Sequence, residues 1–233
     1  VAGLQRRAAQ ESSVLLIDEL EHGLEPHRII RLLGSIGAKE NPPPIQAFLT
    51  THSPVALREL RGDQLWVLRK LAAGHKLDLV GAGDQIQGTI RVHPEAFLSH
   101  SVLVCEGASE VGLMRGLDLC FAAQGATSLN ARGVALVDAG GVNKIYGRAN
   151  VLLNLGFRIA TLRDDDVQPD VGEEALFTFQ NGRLFKWAAG QALEQAIFLG
   201  VSDTAVHQLL ERAVELHGEG LIDEHIRAAS QNA

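Results

Sequence analysis

The apolar positions of this chain fall into short runs, each followed by a stretch with helical spacing. Val14-Leu15-Leu16-Ile17 is the first run, and its β-branched and leucine content, closed by Asp18-Glu19, predicts a buried parallel strand. Glu25-Pro26-His27 then opens an amphipathic helix with proline near its first turn, running through Ile29, Ile30, Leu32 and Leu33. Asn41-Pro42-Pro43-Pro44 stops it. A strand is predicted over 45–49, ending at Thr50-Thr51-His52-Ser53-Pro54, and another over 64–69. The glycine-bearing stretch 71–92 reads as extended.

Beyond it the alternation becomes regular. Strands are predicted over 102–105, 133–137 and 157–162, with helices over 109–123 and 143–155 between them. Asn181-Gly182 predicts the turn of a hairpin, and helices follow over 188–199, 203–217 and 221–229. Strand–helix alternation of this kind predicts an α/β fold with a parallel sheet, whose sites lie at the C-terminal ends of the strands. The change of character puts a domain boundary near Pro94, dividing 1–94 from 95–233. No internal repeat or low-complexity tract is present.

At 233 residues, with 46% hydrophobic and 21% charged positions, the chain is long and apolar enough to bury a substantial core. No apolar run approaches the length of a membrane span, and no charged-then-apolar leader opens the sequence. The expectation is a soluble cytoplasmic protein with no membrane partner. Val1 reads as the start of a fragment. Cys105 and Cys120 lack metal-ligand spacing and read as reduced core thiols. The net charge of −7 argues against a nucleic-acid partner. That objection weakens if several of the acids hold divalent cations, which reverse the local field.

Two constellations carry chemistry. In the first, Asp18 and Glu19 stand at the end of one strand, and His52 follows the next. An Asp at such a strand end can hold magnesium and a Glu can orient the attacking water in phosphate-handling ATPases. The plain alternative is a solvated strand end. The order of the motifs resembles the ABC-type ATPase fold, in the branch that includes chromosome-maintenance and OLD-family proteins. VLLIDELEHGLEP, residues 14–26, is similar to Walker B with its following D-loop, and His52 stands where that family keeps its switch histidine. The resemblance implies that a helix before Val14, carrying Arg6 and Arg7, follows the family's signature loop. No G-x-x-x-x-G-K-[ST] occurs, so the phosphate-cradling loop is missing. This fragment is therefore not expected to hydrolyse ATP, and Asp18, Glu19 and His52 would serve an ATP–magnesium site only in a full-length protein.

In the second constellation, Glu106 follows a hydrophobic strand and Glu110 lies one helical turn on, so both face the same way. Asp138 ends the next strand. Asp164 and Asp166 follow the third, and their two-residue spacing lets them converge while Asp165 turns aside. Crowded carboxylates repel unless cations neutralise them, and all-oxygen donor sets suit Mg²⁺ or Mn²⁺. Two such ions about 4 Å apart favour phosphoryl transfer, by activating a water and stabilising the leaving oxygen.

VLVCEGASE, residues 102–110, is similar to the E-G-x-x-E of TOPRIM domains, and Asp164-Asp165-Asp166 supplies their D-x-D. Asp138-Ala139-Gly140-Gly141, with Lys144 after it, resembles the acid and glycine loop of the nuclease members. With an ABC-like segment ahead, the chain resembles the C-terminal region of OLD-family nucleases, bacterial and phage proteins of DNA processing and defence. The resemblance implies a TOPRIM Rossmann-like sheet over 95–233 behind the C-terminal part of an ATPase domain over 1–94. Its implied activity is metal-dependent cleavage of DNA. In that reading Glu106, Asp164 and Asp166 hold one metal, Glu110 and Asp138 help with a second, and Glu194 is a further acidic ligand. Lys144 steadies a phosphate or the transition state, with Arg163 and Lys186 as other basic candidates. For Glu194 and Lys144 the plain alternative is a solvated helix residue. The implied partners are DNA, a second copy joined through the full-length ATPase domain, and a helicase or other defence protein. A separate reading is a non-catalytic DNA-binding or assembly module. Topoisomerase and primase readings fare poorly, because Tyr146 lies inside a predicted helix and the cysteines cannot build a zinc module.

Overall fold

A computed structural model describes residues 14–231, so the predicted helix bearing Arg6 and Arg7 lies outside the described residues. The chain divides into two compact units. One runs to Arg163 and resumes at Val167–Lys186; the other holds Asp164–Asp166 and the chain from Trp187 onward.

The first unit begins with β1 (Val14–Ile17) and β2 (Gln46–Leu49), paired in parallel and connected through α1 (Pro26–Ser35). Leu15, Ile17, Ala47 and Leu49 turn one face of this ribbon onto Leu20, Ile29 and Leu33. Val14, Leu16 and Phe48 remain exposed on the other. Ser53 caps α2 (Pro54–Glu59) by accepting from the Ala56 amide. An antiparallel hairpin follows, β3 (Trp66–Leu71) with β4 (Gly74–Leu79).

The extended stretch expected over 71–92 is only half right. Asp84–Val92 is a helix, α3, which buries Ile86, Thr89 and Ile90. Ile86 and Ile90 stand one turn apart on its inner face, a period that Gly81, Gly83 and Gly88 hide in the sequence.

Four parallel strands form the central sheet: β5 (Ser101–Cys105), β6 (Val134–Asp138), β7 (Arg158–Arg163) and β8 (Arg183–Lys186), in the order β6-β5-β7-β8. Helices α4 (Ala108–Ala123) and α5 (Val142–Asn154) connect the first three strands. Val102, Val104, Val137 and Ile159 are buried in one core with Leu57, Ile90, Ile145 and Phe177. Register settles where the strand ends fall: Cys105 of β5 lies opposite Asp138 of β6 and Leu162 of β7. This is the parallel α/β sheet that the alternation predicts.

Asn181-Gly182 is not a hairpin turn. Residues 171–179 are a helix, α6, and Asn181 adopts a positive φ of 65° just past its end. The Gly182 amide donates to the Phe177 carbonyl at 2.9 Å, closing the helix, and the chain leaves into parallel β8. Asn-Gly suits a helix C-terminus as well as a type I′ turn, since both need a left-handed residue.

The second unit contributes α7 (Leu193–Gly200), α8 (Asp203–His217) and α9 (Glu219–Gln231). The first starts later than the predicted 188, because Ala188–Gln191 form a turn in which the Gln191 amide donates to the Ala188 carbonyl. No helix among the described residues is long and apolar enough to cross a membrane.

Candidate functional site

The ATPase-like residues meet at the ends of β1 and β2. The Thr50 amide donates to the Ile17 carbonyl and the Leu20 amide to the Thr50 carbonyl, both at 3.0 Å, so the two strand ends stay joined past their last pair. Thr50 Oγ1 donates to Asp18 Oδ1, and the Glu19 amide donates to Thr50 Oγ1 at 2.8 Å. Glu21, which the sequence pattern did not single out, receives the Thr51 hydroxyl at 2.6 Å and the His52 amide at 2.5 Å. Burial raises the Glu21 pKa, but the Thr51 and His52 hydrogen bonds outweigh it and hold the carboxyl below its ordinary value. Asp18, Glu19 and His52 are thus brought to one edge, with Thr50 and Glu21 fixing their backbone.

The acids of the central sheet are divided between the units. In the first, three main-chain hydrogen bonds hold the strand ends together: Ala139 amide to Cys105 carbonyl at 2.9 Å, Gly141 amide to Glu106 carbonyl at 2.8 Å, and Glu106 amide to Leu162 carbonyl at 2.8 Å. Glu106 and Asp138 are therefore fixed on adjacent strand ends. Glu110 sits in the first turn of α4, only 3% exposed, and its Oε2 accepts from the Gly107 amide at 2.7 Å. Asp138 Oδ1 accepts from the Gly140 amide at 2.8 Å inside the tight Gly140-Gly141 turn, where φ is +75° and +113°. Only glycine adopts such angles without strain.

The electrostatics mark this edge as negative. Cys105 is buried, and its thiol pKa is pushed up to about 12 by that burial first and then by the charges of Glu110 and Asp138. Glu110 has no basic partner among the described residues. A buried carboxylate without a cationic neighbour is what a bound divalent ion would neutralise, and the donors here are all oxygens. In chemistry the residues fit the metals that the sequence implies. Among the described residues, however, no three His, Cys, Asp or Glu side chains already form a metal-binding group.

In the second unit, Asp164 Oδ1 accepts from the Leu193 amide at 3.0 Å, at the start of the helix whose first turn carries Glu194. Asp165 is buried, its amide bonded to the Gln191 carbonyl and its Oδ2 to the Gly190 amide, while Asp166 is exposed. Asp164 and Asp165 thus both hold amides of the 190–193 turn, and Asp165 and Asp166 stand in a bend rather than an extended segment. Glu194 is exposed on an open groove that it shares with Gln191, Gln195 and Phe198.

Of the basic candidates, Lys144 is exposed, and its Nζ lies 3.9 Å from where a methyl on Gly140 would stand. Arg163 is wholly buried: Nε and Nη2 each reach Glu174 Oε2 at 2.9 Å, and Tyr146 donates to the same oxygen at 2.5 Å. Burial works against the Arg163 charge, but Tyr146 and Glu174 outweigh it and raise its pKa. Its place is in the core, as is that of Tyr146. Lys186 is exposed at the end of β8. Reasoning from sequence also missed His93, whose Nε2 lies 3.1 Å from the Asp138 main-chain oxygen and so donates to it. Burial holds the His93 pKa below its ordinary value; Arg148 adds to the effect, and Glu95 and Asp138 oppose it.

An ATPase-type strand pair followed by a parallel sheet with acids at successive strand ends defines an ATPase-like segment leading into a TOPRIM-type domain. Family comparison names both parts. An AAA domain model, described as that of a proposed AbiEii toxin of a Type IV TA system, matches residues 1–58, and the TOPRIM domain model of overcoming-lysogenization-defect-like proteins matches residues 97–166. The pairing is that of an OLD-family ATPase and TOPRIM region. No curated protein matches the chain. TOPRIM domains bind divalent metals and belong to nuclease- and primase-type proteins.

Proposed function

We propose that this chain is a divalent-metal-dependent endonuclease that nicks or cuts DNA. The observation that carries the reading is the sheet register, which sets Glu106 and Asp138 on adjacent strand ends while Asp164 directly follows the last residue of the neighbouring strand. Glu106, Asp164 and Asp166 would hold one Mg²⁺ or Mn²⁺, and Glu110 and Asp138 would help hold a second, with Glu194 as a further ligand. When bound, such ions lower the pKa of a water and stabilise the leaving oxygen of a phosphodiester.

The chain's own residues orient and hold. The Gly107 and Gly140 amides fix one oxygen each of Glu110 and Asp138, and His93 holds the Asp138 main chain from behind. Lys144, beside the Gly140 turn, would steady a non-bridging phosphate oxygen. Asp18, Glu19 and His52 would belong to an ATP site completed only in a longer protein, which would act as a dimer through its ATPase domain and engage a helicase or other defence partner. The division of labour near Pro94 belongs to the same proposal.

Supercoiled plasmid incubated with this chain and Mg²⁺ or Mn²⁺ should be relaxed or linearised, and EDTA should stop it. Glu106→Ala and Asp164→Ala should each lose the activity. An inert wild type, or undiminished cutting by both variants, would reject the assignment.

A further inference from the structure

Arg148 lies on α5 one turn beyond Lys144, so the two side chains share a helix face. Helical side chains tilt toward the helix N-terminus, which directs both cations back toward the Gly140-Gly141 turn and Asp138. Lys144 reaches that turn, and Arg148 stands close enough to His93 to influence it, while His93 itself touches the Asp138 main chain. Arg148 is half-buried, and its Nη1 is buried with no hydrogen-bond partner. Neither Arg148 nor Lys144 pairs with a carboxylate among the described residues, although the chain carries 28 acids against 21 basic residues. The other guanidinium nitrogens of Arg148 are not buried and have no hydrogen-bond partner among the described residues, so they are open to an external anion. Guanidinium's planar fork matches phosphate oxygens, and the acid-rich strand ends need nearby cations before any phosphodiester can approach.

We propose that Arg148 and Lys144 form a two-cation grip on α5 that binds a backbone phosphate of DNA beside the acidic strand ends. The inference rests on the nuclease reading and assigns Arg148 a role in holding substrate. It is tested by fluorescence anisotropy of a labelled DNA oligonucleotide, titrated with the chain at fixed Ca²⁺ across a series of NaCl concentrations. Arg148→Gln should weaken binding roughly tenfold and lower the slope of log affinity against log salt by about 0.9, the loss of one phosphate contact. Lys144→Gln should lower the slope by a similar amount. Arg148→Lys should keep the slope and lose affinity, because the charge stays and the fork goes. Arg132→Gln, at the opposite end of the sheet just before β6, should leave both unchanged. Melting temperatures recorded alongside separate lost folding from lost binding, and the Lys144 and Arg148→Lys arms decide the matter if Arg148→Gln does not fold. Wild-type slope and affinity in Arg148→Gln would overturn the grip alone. A wild type that neither binds nor cuts DNA would overturn both the grip and the nuclease reading.

Discussion

Replacing Glu174 by alanine takes one carboxylate away from the wholly buried Arg163. Glu174 Oε2 accepts from two donors, Arg163 Nε at 2.9 Å and Tyr146 Oη at 2.5 Å, and Arg163 Nη2 adds an ion-pair contact at 2.9 Å. Breaking a fully buried ion pair from one side costs about 3–5 kcal/mol. Here Glu174 is 25% exposed and Arg163 keeps the Tyr146 oxygen at 3.3 Å, so the estimate falls to about 2–3 kcal/mol. For a chain of 233 residues that is a drop in Tm of roughly 5–10 °C. Tyr146→Phe removes one hydrogen bond and should cost about 1 kcal/mol. Urea unfolding followed by circular dichroism reads both. The decisive comparison is a double-mutant cycle with Arg163→Met and Glu174→Leu: the paired change should recover more than about 1 kcal/mol of the summed single losses. If the two losses simply add, or if Glu174→Ala costs less than about 0.5 kcal/mol, the buried pair is not the anchor that its geometry indicates.

Stability should also fall on the alkaline side. The Cys105 thiol and the Tyr146 phenol are both pushed up to about 12, chiefly by burial, so above pH 9 to 10 the unfolded chain releases protons that the folded one keeps. Their contribution is whole below the ordinary values and lost as pH rises toward 12, at most about 1.4 kcal/mol per pH unit per group. Urea midpoints measured against pH should show the decline, and Cys105→Ser should flatten it; a slope identical to wild type would remove Cys105 from the account. Gly182→Ala should destabilise by about 1–3 kcal/mol, since its methyl would stand 2.3 Å from the ring of buried Phe177, and a wild-type melting curve would show that the ring can move aside.

What the sequence made legible was local and periodic. The short apolar runs ending in acids became β1, β5, β6 and β7, and the parallel sheet followed from their alternation with helices. Asp165 is buried and Asp166 exposed, but the segment is a bend, so the two-residue strand period read from the sequence does not apply there. Helix α3 was hidden because its glycines depress helical propensity while its two buried isoleucines supply the stabilising contact from outside the segment. Asn181-Gly182 misled because the same left-handed geometry ends a helix or reverses a strand, and only the parallel partner of β8 decides between them. Glu21, His93, Glu174 and Arg148 acquire meaning from residues distant in the chain, so no local pattern could have marked them.

The ribbon of β1 and β2 shows Val14, Leu16 and Phe48 to water on its outer face. Apolar strand surface left open in this way is adhesive, and it grows more so in salts that strengthen the hydrophobic effect. A lysine in place of Leu16 should therefore raise the sulfate concentration at which the chain precipitates while leaving the acid-bearing strands alone, and an unchanged threshold would show that another apolar surface associates first.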